Sequence, residues 1–108
     1  MKIHLLHLFI LISVSVFAAQ KHTISGTVSD ASSGESLIGA TILIDEIPES
    51  GASTNAYGYF SLTLNDSQYT LIVSYLGYKS IVQTINIKEN RMINFKLEPD
   101  TRQLDEVE

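Results

Sequence analysis

The sequence has no cysteine and no tryptophan, only two prolines, and seven basic side chains against twelve acidic ones. Without cysteine, disulfide staples, thiolate metal sites, a cysteine nucleophile and a lipid-modified N-terminal cysteine are all excluded. A formal net charge of −5 argues against a nucleic-acid partner, because neutralising phosphates takes Lys and Arg gathered on one face. A length of 108 residues limits the chain to one domain. No apolar run reaches the ~20 residues that a helical bilayer span requires.

Much of the apolar content lies at the N-terminus. Lys2 gives a short positive start, Leu5 to Val16 form an apolar run, and Phe17, Ala18, Ala19 and Gln20 follow. This three-part layout predicts a secretory signal peptide over residues 1–19. Val16 and Ala18 fit the small-residue rule at −3 and −1. A cut after Ala19 leaves Gln20 first and puts Phe17 at −3, so both sites stay open. Removal of this segment takes Lys2, His4 and His7 with it. Six basic side chains then stand against twelve acidic ones, a net of −6, and His22 is the only histidine left. An exported chain without cysteine needs a core that stands without staples, or attachment to something larger.

The remainder alternates with period two, the pattern of strands with one face buried. Strands are predicted over Thr23–Asp30, Leu37–Asp45, Tyr59–Leu64, Gln68–Tyr75, Ser80–Ile87 and Arg91–Leu97, with a short edge strand at Ser53–Asn55. The continuous apolar run of the second implies burial on both sides for part of its length. Pro48 and Gly51 mark residues 46–52 as a loop. Glu89 and Asn90 read as a hairpin turn. Seven short strands between turn signals predict an all-β sandwich over residues 20–98, and residues 99–108 form a polar, acidic tail. Gly26, Gly34, Gly39, Gly58 and Gly77 are read as structural positions. Gly58 suits a turn with positive φ, and Gly26, inside a strand, suits a bulge or a close neighbour.

Chemistry has few carriers. A lone histidine at the start of the first strand supplies neither a metal set nor a serine base, and no Gly-x-Ser-x-Gly elbow exists. His22 is read as solvated. No catalytic residue, metal or cofactor is expected. Asp45, Glu46 and Glu49 lack the alternating pattern that gives Ca²⁺ its oxygens, and are read as a solvated charge cluster. Asn65-Asp66-Ser67 fits a glycosylation acceptor and is read as a turn. Tyr57 and Tyr59, flanking Gly58, are the candidate platform for stacking a sugar ring.

Three ordered segments carry a resemblance. Residues 24–30 with 33–42 resemble the opening of the carboxypeptidase-regulatory-like domain. Thr54 to Leu62 resembles its T-D-A-D-G-x-F-S-L segment, and Tyr69 to Tyr78 its Y-T-L-x-V-S-Y-x-G-Y strand and turn. The resemblance implies a seven-stranded transthyretin-like sandwich and a non-catalytic accessory role. Asn55 and Tyr57 stand where the family has an acidic pair, which counts against a cation at that turn. Ile38 stands where Pro is common.

Leu104, Asp105, Glu106 and Val107 resemble the L-D-E-V-x-V start of the plug segment in SusC-like TonB-dependent outer-membrane transporters. That resemblance implies a protein partner in the outer membrane or the periplasmic energy-transducing machinery, joined by an added strand. It also implies the periplasm or outer membrane of a Gram-negative bacterium, and either a truncated receptor or a free-standing module. A carbohydrate-binding module and the accessory domain of a secreted peptidase are the alternatives.

Overall fold

The computed structural model describes residues 20–101. The expected signal peptide, residues 1–19, and the segment Leu104–Val107 lie outside the described residues. Within them the elements are β1 (Lys21–Asp30), β2 (Thr41–Ile44), β3 (Ile47–Ser53), β4 (Tyr59–Asn65), β5 (Ser67–Ser74), β6 (Ile81–Ile87), β7 (Arg91–Met92) and β8 (Phe95–Leu97). No helix occurs among the described residues.

Two sheets form a sandwich. One has the order β4-β1-β7, with β8 also on β1; the other has the order β3-β2-β5-β6. Period-two burial sorts the side chains. In β1, Ile24, Gly26, Val28 and Asp30 face inward, and in β4 Phe60, Leu62 and Leu64 do so. The second sheet contributes Ile42, Ile44, Tyr69, Leu71, Val73, Ile85 and Ile87. Burying each large aliphatic or Phe side chain fully is worth about 1.5–3 kcal/mol. That supplies the driving force that disulfides provide in many small exported domains.

β7 and β8 are two pieces of one edge. Both run parallel to β1, at Ile24–Ser25 and at Val28–Asp30. Counted as one interrupted strand they make the sandwich seven-stranded. Glu89 and Asn90 therefore do not close a hairpin. They carry the chain from β6 across to the first sheet, and the Asn90 carboxamide oxygen accepts the Thr23 N–H at 2.8 Å. The interruption centres on Ile93 and Asn94. Asn94 Oδ1 accepts from the Thr27 N–H and hydroxyl, both at 3.1 Å, standing in for ladder bonds that the break removes. At Gly26, an added Cβ would lie 1.8 Å from the Ile93 carbonyl oxygen. The inward fold of this edge requires a residue without a side chain there.

Residues 46–52 are not the loop that Pro48 and Gly51 suggest. Ile47–Ser53 is an edge strand paired with β2, with a register shift between Leu43 and Ile44. An edge strand uses one side of its ladder only, so a proline is tolerated. A Cβ at Gly51 would lie 2.7 Å from the Ile42 carbonyl oxygen, so glycine permits the close pairing. Of the short edge strand expected at Ser53–Asn55, only Ser53 lies in a strand, as the last residue of β3. Thr54 is instead buried as a connector, its Oγ1 donating to the Leu37 carbonyl at 2.5 Å and accepting from the Ala40 N–H at 2.8 Å. The strand expected from Leu37 begins only at Thr41, because residues 37–40 turn between the sheets.

Candidate functional site

Two surfaces correspond to the candidate residues. The first is the turn joining β3 to β4. Asn55 organises it: its Oδ1 accepts from the N–H groups of Tyr57 at 2.9 Å and Tyr59 at 3.1 Å. The Gly58 N–H donates to the Asn55 carbonyl at 2.9 Å, and Gly58 takes φ +74°. The Val28 N–H donates to the Gly58 carbonyl at 2.8 Å, so the turn is fastened to β1. The Asn55 oxygen is thus committed to backbone donors, a role an aspartate would fill equally. Tyr57 is 80% exposed and Tyr59 38% exposed. Tyr59 stands opposite Thr27 on the outer face of the first sheet, in line with the exposed Ser61 and Thr63.

The second surface is where the chain leaves the sandwich. The Ala31 N–H donates to the Leu97 carbonyl, the Lys79 N–H to the Glu98 carbonyl, and the Asp100 N–H to the Gly77 carbonyl. Tyr78 and Pro99 form an isolated bridge. The ordered hydrogen bonding therefore continues to Asp100, two residues past the boundary expected at Glu98. Gly77, with φ +89°, reverses the chain so that the Tyr78 ring meets the Tyr75 ring at 5.6 Å, edge to face. Tyr78 then donates its hydroxyl to Asp30 Oδ2 at 2.6 Å, while Asp30 Oδ1 accepts from the Ser32 and Ser33 N–H groups. The Tyr78 hydrogen bond, with those from Ser33 and Ser32, holds the Asp30 carboxyl below the usual carboxylate range. The same bond to Asp30, with burial second, pushes the Tyr78 phenol up to about 12. One buried acceptor thus ties the end of β1, the β5–β6 turn and the chain's exit into a unit. Nothing in the pattern of period two marks Asp30 for this role; its place one residue before a Ser-rich turn is the available signal.

The remaining candidates serve the fold. His22 is not solvated: its Nε2 meets the Asp66 carboxylate where β4 passes to β5. Glu46 is not a free charge either. Its carboxylate accepts the Thr70 N–H at 2.8 Å, which lowers its pKa and completes the β5 ladder beyond the end of β2. Gly34 and Gly39 take positive φ in the two turns between β1 and β2. Among the described residues no three His, Cys, Asp or Glu side chains gather as a metal set.

The model of the CarboxypepD_reg-like domain matches residues 24–108. The chain belongs to this family. It is also 28% identical over 102 residues to TonB-dependent receptor P3 of Formosa agariphila, covering 94% of this chain. The domain spans only 10% of that receptor's length. Among solved structures, a DUF3823 family protein from Parabacteroides merdae superposes with a TM-score of 0.57 at 18% identity, covering 76% of this chain and 48% of that chain. Chlorocatechol 1,2-dioxygenase from Pseudomonas putida superposes with a TM-score of 0.63 at 14% identity, covering 79% and 63%. At such identities these two establish the sandwich fold and nothing of the chemistry.

Proposed function

We propose that the domain is the non-catalytic front module of a TonB-dependent outer-membrane receptor, held in the periplasm or at the outer membrane. Residues 1–19 export it, residues 20–98 form its body, and the segment Leu104–Val107 is offered to a periplasmic energy-transducing protein. That segment pairs with its partner as an added strand. The observation that carries this reading is the outlet. Glu98, Pro99 and Asp100 are fastened to Gly77–Lys79, so the partner segment begins a few residues from a fixed point on a rigid body. The similarity to a TonB-dependent receptor along nearly the whole domain supports the same reading. A peptide of residues 102–108 titrated calorimetrically into the periplasmic domain of a TonB-type protein tests it. Weak saturable heat is expected, and Val107→Asp abolishes it. Absence of heat at millimolar peptide removes the claim.

A second reading rests on the exposure of Tyr57 and Tyr59 at a fastened turn. In it the domain binds a carbohydrate by ring stacking. Calorimetry against a glycan panel decides: binding lost in Tyr59→Ala supports it, and no binding at millimolar glycan rejects it.

A further inference from the structure

Among the described residues the sandwich has four strand edges, two of them blunted by proline, glycine, charge or a break and a third, β4, covered at its two ends. The β3 edge carries Pro48, Glu49 and Gly51 and a register shift. The β7–β8 edge is short, broken at Ile93–Asn94, and carries Arg91 and Lys96. On β4, the outward N–H and C=O of Tyr59 are taken by Asn55, and the Asn65 carbonyl accepts the Tyr69 hydroxyl. Breaks, proline, charge and covering loops are the usual ways of blunting an edge.

β6 has none of these. Its seven residues, Ile81-Val82-Gln83-Thr84-Ile85-Asn86-Ile87, contain no charge, no proline and no glycine. It ends its sheet, and its register against β5 is unbroken. The direction of its free groups follows from Thr70. Thr70 turns its C=O to Asp45 and its N–H to Glu46, on the β2 side. Its partner Thr84, in a pair that does not exchange bonds, therefore points its own N–H and C=O away from β5. Val82 and Asn86 share that parity. Among the described residues no strand meets them.

We propose that this edge pairs with the β6 of a second copy of the chain, antiparallel about a two-fold axis at Thr84. That centre sets Thr84 opposite Thr84, Val82 opposite Asn86, Gln83 opposite Ile85 and Ile81 opposite Ile87. All six outward-facing donors and acceptors on each strand are then satisfied, and buried faces stay on one side. The charges at the strand ends select a second copy over an unrelated strand. Each end of the pairing gathers Lys79 and Glu98 of one copy with Lys88 and Glu89 of the other, two cations against two anions. Lys79 falls across from Glu89. The product is one continuous eight-stranded sheet with a sandwich on each side. This interaction is independent of the tail and of its partner.

Sedimentation equilibrium of the exported chain, from micromolar to millimolar, reads the claim as a doubling of mass. Thr84→Pro removes only an N–H that faces outward in the monomer, so it is expected to stay monomeric with little change in Tm. The charges test the register. Lys79→Glu and Glu89→Lys each set like charges across both ends, and each weakens self-association about tenfold. Mixed one to one they restore it, because the mixed dimer carries two opposite-charge pairs. The absence of native cysteine gives a clean cross-link. Thr84→Cys lies on the axis, at a Cα separation of ~5.5 Å that a disulfide spans. It forms a covalent dimer on mild oxidation, whereas Ser61→Cys on the β4 edge does not. A monomer at millimolar concentration, or a dimer untouched by Thr84→Pro and by the charge changes, overturns the proposal.

Discussion

Thr54 and Asp30 are buried polar residues in a core otherwise built from aliphatic and aromatic side chains, and each joins segments the strands leave apart. Thr54 Oγ1 both donates to Leu37 and accepts from Ala40, so it satisfies a carbonyl and an N–H of the turn that leads into β2. Thr54→Val keeps the shape and orphans both backbone groups. It is expected to lower stability by about 2–3 kcal/mol, and Thr54→Ser to recover most of that, as chemical denaturation would show. Asp30 and Tyr78 predict a pH dependence. The Tyr78 phenol is raised from 10.0 to about 12, so the stability it adds is complete below pH 10 and is lost as pH rises towards 12. The Asp30 carboxyl is lowered, so its contribution holds above 3.8 and is lost as pH falls through its lower folded value. Tyr78→Phe removes the first loss and shrinks the second. Stability of both proteins measured in acid below pH 3.8 and at pH 7, 10 and 12 checks this, and parallel curves would contradict it.

At the scale of the elements, the breaks matter as much as the strands. The first sheet is completed by an edge in two pieces, and the break is held by Asn90, Asn94 and Gly26 together. Gly26→Ala drives a methyl into the Ile93 carbonyl, and the cost is expected to be about 3 kcal/mol, with protection of the Ile93 amide lost in hydrogen exchange. The strands themselves were legible in the sequence because inward residues recur at period two, as in Phe60, Leu62 and Leu64. β3 was not, because Pro48 and Gly51 are turn residues by local propensity, and only its place at an edge makes them acceptable. The direction of β7 and β8 was not legible either. A turn at Glu89–Asn90 gives the same local pattern whether the chain doubles back on β6 or crosses to the other sheet. Of the candidate surfaces, the Tyr57–Tyr59 turn could be found from its motif, while the roles of Asp30, Glu46 and His22 depend on partners 48, 24 and 44 residues away.

At the scale of the whole molecule, the domain is a small sandwich in which Glu98, Pro99 and Asp100 are held by the Gly77–Lys79 turn. In the proposed reading, a sandwich with a fastened outlet keeps the segment Leu104–Val107 near one point without contributing to its affinity. This separation is the central claim, and it predicts that the two parts respond differently to a partner. The most direct measurement is a map of amide chemical shifts in residues 20–108, titrated with the periplasmic domain of a TonB-type protein. Changes are expected in residues 102–108, fading at Asp100, with β1 to β6 unmoved. Changes centred on the sheets, or none at saturating partner, would contradict the account.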